Sequence, residues 1–120
     1  MKNQPLHKKM SNASKGIYVT LQAESNFRIQ LVIAILIVGI GLPIVQPPLV
    51  WWAMIMLCIG LVLAAELTNT ALEVLLDHLH PDTHPEIAKV KDIMAGMVLV
   101  LSITTVIIGL LALFATYKGV

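Results

Sequence analysis

Residues 29–65, IQLVIAILIVGIGLPIVQPPLVWWAMIMLCIGLVLAA, form an unbroken run of 37 positions without Asp, Glu, Lys or Arg. A helix crossing the roughly 30 Å hydrocarbon core of a bilayer needs about 20 such residues, so the run is too long for one crossing of ordinary tilt. Gly39, Gly41, Pro43, Pro47 and Pro48 interrupt it and together mark a turn. The run therefore reads as a helical hairpin. Its first span covers about Ile29–Val45, and its second begins near Leu49, with Trp51 and Trp52 at an aromatic interface belt. A further 25 uncharged residues between Asp92 and Lys118 supply a third span, from about Ile93 to Tyr117.

The rest of the composition agrees. Of 120 residues, 58% are apolar and 12% charged, and mean hydropathy is +0.86. A soluble domain carries about 25% charged residues, so an ordinary globular core is excluded. The expected fold is an all-α membrane protein: one domain over residues 1–120, with a surface helix over 1–27 and span-containing helices over 29–45, 49–78 and 86–117. A net charge of +1 argues against nucleic acid as a partner. The single Cys58 leaves no disulfide within the chain. The first 28 residues hold no short apolar stretch ending in a small-residue cleavage site, so they do not read as a removable signal peptide. Lys2, Lys8, Lys9, Lys15 and Arg28 precede the first span, and Lys89 and Lys91 precede the third, while the hairpin turn carries no charge. The positive-inside rule then places the N-terminus and the second loop in the cytoplasm and the C-terminus outside.

Ahead of the first span, Leu6, Met10, Ala13, Ile17 and Leu21 fall within about 80° on a helical wheel, with Lys8 and Lys15 opposite. This is an amphipathic helix suited to the membrane surface. Glu24 shares the wheel angle of Leu6, at the end where the chain turns into the bilayer.

Six of the seven acidic residues lie between positions 66 and 92, and three of them continue directly out of the second apolar run in AELTNTALEVLLD, residues 65–77. At ~100° per residue, Glu66, Asn69, Glu73 and Asp77 share an arc of about 80°. Apolar side chains fill the other faces, so the stripe avoids lipid only by facing helices or a wet cleft. Fifteen residues after Trp51, or about 22 Å, Glu66 sits at shallow depth in the inner leaflet, where it can take a proton from a lipid alcohol. Glu73 lies about 10 Å further, near the water boundary. With Glu24 approaching from the surface helix, it can hold a divalent cation such as Mg²⁺ through hard oxygen ligands. Lys91, beside Asp92, places a cation where polyphosphate would lie. Structural roles compete: Asn69 as a helix–helix hydrogen bonder, Lys91 and Arg28 as span anchors, Asp77 as a solvated helix end. For Glu66 and Glu73 function is preferred, because ionisable groups at that depth are costly. Thr83 and Glu86, flanking Pro85, read as a capping box that starts the third helix. His84 has no second histidine at metal-ligand spacing, which argues against a structural zinc site. GxxxxGK[ST], a kinase catalytic loop and GxSxG are all absent from the sequence.

The blocks SKGIYVTLQAESNFR (14–28), AELTNTALEVLLD (65–77) and AKVKDIMAG (88–96) resemble the small prokaryotic integral-membrane lipid kinases, a family of diacylglycerol and undecaprenol kinases. The resemblance implies that Glu66 is the catalytic base on the lipid hydroxyl and that Glu24 and Glu73 bind the metal accompanying ATP. It implies further that Asn69, Asp77, Lys91 and Asp92 belong to the nucleotide and active-site constellation. It also implies a homotrimer with sites shared between chains, in keeping with the point that three thin helices cannot enclose both a lipid and ATP. Asn26-Phe27 and the run His84-Pro85-x-x-Ala88-Lys89 are closer to the undecaprenol branch. The expected protein is thus a lipid kinase of the bacterial inner membrane using ATP and Mg²⁺, with undecaprenol preferred to diacylglycerol as acceptor. The rival from another class is a small proton-coupled transporter, which explains Glu66 but leaves Glu73, Asp77, Lys91 and Asp92 without a task.

Overall fold

The computed structural model describes residues 3–120; Lys2 and the start of the surface helix expected from residue 1 lie outside them. Among the described residues four helices follow one another: α1 (Leu6–Ala23), α2 (Ser25–Val45), α3 (Leu49–Leu79) and α4 (Pro85–Lys118). The last three are long and apolar enough to cross a membrane, which makes this a multi-pass membrane protein.

The corner between α1 and α2 is a single extended residue, Glu24, at φ −115° and ψ 112°. Its N–H donates to the Thr20 carbonyl at 2.9 Å. Arg28, one turn into α2, reaches back and donates from Nη1 to the carbonyls of Leu21 (2.7 Å) and Gln22 (3.0 Å). Those carbonyls have no partner within α1, and a cation at that end also meets the negative pole of the helix dipole. Arg28 thus fastens the corner that presents Glu24, a role beyond that of a span anchor.

The hairpin turn is shorter than its glycines and prolines predict. Gly39, Gly41 and Pro43 lie within α2, which widens to a π-turn over Ile37–Gly41 and returns to α-helix over Leu42–Val45. Pro43 lacks an N–H and its ring crowds the preceding turn, and a locally wider helix removes both conflicts. The chain reverses only at Gln46–Pro48. Gln46 takes a left-handed conformation (φ 54°, ψ 56°) and its N–H closes the helix on the Leu42 carbonyl at 2.8 Å. Pro47 and Pro48 then bar continuation.

At this end of the molecule Leu42, Ile55 and Ala112 form a buried cluster against which Ile37, Trp51, Trp52, Ile59 and Ile108 pack. The two tryptophans are half-buried and pack against that cluster. Elsewhere the chain encloses little of itself. In the most apolar window of α4 only 6% of residues are buried, and Leu99, Val100, Ile103, Val106 and Leu110 point outward. Helix α4 starts differently from the expected capping box. The N-cap is His84, whose Nδ1 accepts from the Glu86 N–H at 3.1 Å, with Pro85 in the first turn. The imidazole reaches the free N–H two residues on, so Thr83 is left in the loop.

Candidate active site

The polar stripe of α3 is observed as a gradient of exposure. Glu66 is 4% exposed, Asn69 and Glu73 are half-buried, and Asp77 is exposed. Nothing in local sequence preference buries Glu66; it is covered because α2 lies across α3 at that level. Gln30 of α2 donates from Nε2 to Glu66 Oε1 at 2.8 Å. One turn on, Thr70 is also buried, and its hydroxyl donates to the Glu66 backbone carbonyl at 2.9 Å.

Glu24, half-buried at the α1–α2 corner, and Glu73 both lie close enough for their charges to act on Glu66. Asn69 lies between Glu66 and Glu73; its Nδ2 makes a long 3.5 Å contact to Glu73 Oε1, and its Oδ1 is buried without a partner among the described residues. Further along, the Lys91 Nζ donates to Asp77 Oδ1 at 2.7 Å, joining the start of α4 to the end of α3. Lys91 precedes the third span, and the Asp77 carboxylate raises its pKa above the usual lysine value, so it stays charged. Asp92 is exposed, and among the described residues no hydrogen bond draws it to the others. The loop between α3 and α4 contributes a small cavity of about 150 Å³ beside Asp77 and Lys91, walled by His80, Asp82, Thr83 and His84.

Among the described residues no three Asp, Glu, His or Cys side chains are grouped to hold an ion by themselves. Glu24, Glu73 and the unpartnered Oδ1 of Asn69 are all hard oxygens. They fit a small divalent cation that brings most of its coordination shell as water or phosphate, as Mg²⁺ does.

Sequence reasoning missed Gln30. Its signal was present: between Ile29 and Val45 it is the one strongly polar side chain, and such a residue within a span marks a buried interaction.

Residues 11–113 match the protein family described as prokaryotic diacylglycerol kinase. Over 104 residues the chain is 35% identical to a protein of Bacillus subtilis (strain 168) named undecaprenol kinase, covering 87% of this chain and 84% of that one. No solved structure matches the chain significantly.

Proposed function

This chain belongs to the prokaryotic diacylglycerol kinase family and is a lipid kinase, and from that premise we propose that it transfers the γ-phosphate of Mg²⁺-ATP to undecaprenol. The observation that carries the site assignment is the layering on α3: a buried carboxylate, Glu66, followed along one face by half-buried and then exposed polar groups.

Glu66 serves as the general base. With one oxygen bonded to Gln30, the other, which has no hydrogen-bond partner among the described residues, takes the alcohol. As the alcohol oxygen bonds to the γ-phosphorus, its proton passes to Glu66 and the bridging P–O bond to ADP breaks. Proton removal contributes about 10²–10⁴ in rate, and the remainder comes from placing the reactants and neutralising phosphate charge. Glu24, Glu73 and Asn69 would hold the cation, which would supply charge neutralisation to the phosphates. Lys91, set by Asp77, brings a positive charge toward the phosphates, with Asp92 beside it. The nucleotide arrives from the cytoplasm, the side on which the basic residues place the N-terminus and the second loop. The working unit is a homotrimer with sites shared between chains.

Undecaprenol is preferred as acceptor because the relative from Bacillus subtilis is named for it and because Asn26-Phe27 and the His84–Lys89 run resemble that branch. Purified protein in detergent, given radiolabelled ATP with undecaprenol or with dioleoylglycerol, tests both levels. Labelled undecaprenyl phosphate is the expected product. Labelled phosphatidic acid alone would overturn the acceptor assignment, and no labelled lipid from either would overturn the site.

A further inference from the structure

Glu66 divides its face of α3 into two unlike halves. In one direction the face carries Asn69, Glu73 and Asp77, half-buried and then exposed. In the other direction, toward the hairpin turn, Val62 and Ile59 share the side of the helix on which Glu66 lies. Both line a cavity of about 300 Å³ between α2, α3 and α4. Gln30, Ser102 and Thr105 are its polar residues, and the Thr105 hydroxyl is spent on its own helix, donating to the Leu101 carbonyl at 2.8 Å. All the other walls are aliphatic. Gln30 stands where the two halves meet, since it both lines the cavity and donates to Glu66 at 2.8 Å. From there the cavity follows α2 as far as Ile37, where the π-turn begins, a length of about 10 Å. Ile33 and Val106 also line it and are exposed, so it opens on the outer surface of the spans, and a chain can enter sideways. An apolar space of this kind does not hold water, and at the depth of the spans the molecules that surround it are hydrocarbon.

We propose that this cavity seats the hydrocarbon chain of the acceptor and that it takes one chain beginning directly at the hydroxyl. The substrate class is then a single-chain alcohol, a polyprenol or a long-chain alkenol, rather than a two-chain glyceride. The inference rests on the kinase reading above, with Glu66 as base. An acceptor whose hydroxyl reaches Glu66 has its next few atoms at the level of Val62, one helical turn away, where the walls are already aliphatic. In a polyprenol or a fatty alcohol those atoms are hydrocarbon, and their burial is favourable. A diacylglycerol brings two ester groups to the same place, and setting them against aliphatic side chains is costly. The volume, at the bottom of the range for small-molecule sites, gives room for one chain and not for two.

Oleyl alcohol and dioleoylglycerol carry the same chain and differ in chain number and ester groups. With wild-type protein in detergent, kcat/KM for oleyl alcohol should exceed that for dioleoylglycerol by at least about tenfold. A smaller ratio overturns the proposal. Ile59→Trp fills the cavity, and the undecaprenol KM should rise about tenfold, the loss expected when about two methylene groups leave an apolar site. The KM for Mg²⁺-ATP should stay within about twofold, and Ile59→Leu should leave both constants within about twofold. An unchanged undecaprenol KM in active Ile59→Trp protein, or an equal rise in both constants, overturns the proposal. Should the tryptophan variant fail to fold, the wild type decides: oleyl alcohol bearing a diazirine near its hydroxyl end should label Ile37, Ile59 or Val106 on irradiation. Label in the groove beside α1, at Ile17, Leu67 or Val74, or on a neighbouring copy overturns it. Wild-type protein that phosphorylates no lipid alcohol defeats the kinase site and this inference together, whereas an active wild type labelled elsewhere defeats this inference alone.

Discussion

Glu66 and Glu73 lie seven positions apart on one helix face, yet their surroundings differ. Glu66 is enclosed under α2 with one oxygen bonded to Gln30, whereas Glu73 is half-buried and its one side-chain hydrogen bond among the described residues is the long one from Asn69. The same functional group is thereby assigned two tasks, and the two should separate kinetically. Glu66→Gln keeps the shape and removes the base; kcat should fall by at least about 100-fold while nucleotide binding, measured by equilibrium dialysis, is retained. Equal loss of both would remove the base assignment. Glu73→Gln should instead raise the Mg²⁺ concentration needed for half-maximal rate, since a neutral amide is a weaker ligand for a hard cation. An unaltered metal titration would count against its ligand role.

The elements owe their ends to side chains that reach back to a backbone. Arg28 closes α1 on the Leu21 and Gln22 carbonyls and so fixes the corner at which Glu24 sits. Arg28→Ala should cost about 1 kcal/mol of stability in reversible detergent unfolding and should weaken Mg²⁺ dependence in the same direction as Glu73→Gln. A rate loss without any metal effect would show that the corner does not place Glu24. At the other loop, His84 caps α4 in place of Thr83. Accordingly His84→Ala should lower stability by about 1 kcal/mol, whereas Thr83→Ala should stay within about 0.5 kcal/mol. Thr83 was the natural choice from sequence because a hydroxyl three residues before a glutamate is the usual capping pattern. The fixed φ of Pro85 brought the imidazole of His84 within reach of the Glu86 N–H instead, a matter of local geometry that residue types do not encode.

At the scale of the whole molecule, the chain covers Glu66 but leaves most of its apolar surface open. Ile35, Leu36, Leu57, Val106, Leu110 and Phe114 are all exposed in a single copy. Lipid can cover such faces, and so can neighbouring copies, and the proposed homotrimer makes a distinct claim about the site. If residues of two chains complete each site, mixing inactive Glu66→Gln and Glu73→Gln proteins and letting subunits exchange should regain measurable activity. Mixtures that stay as inactive as their parents would place the entire site within one chain.

The spacing of charged residues by itself determined that this protein spans a membrane three times, because the energetic cost of charge in hydrocarbon restricts where Asp, Glu, Lys and Arg can fall. Helical periodicity likewise determined that Glu66, Asn69, Glu73 and Asp77 share a face. Only the tertiary structure decided which of them is buried, what holds it and how near the Glu24 charge comes to it. Those properties come from α2 lying across α3 and from a corner tied by Arg28, and contacts between residues 36 positions apart, such as Gln30 with Glu66, leave no periodic trace in the chain. The short hairpin turn was hidden for a related reason. Pro43 looks like a breaker, but a π-turn lets the helix accept it, so the reversal waits for Gln46–Pro48.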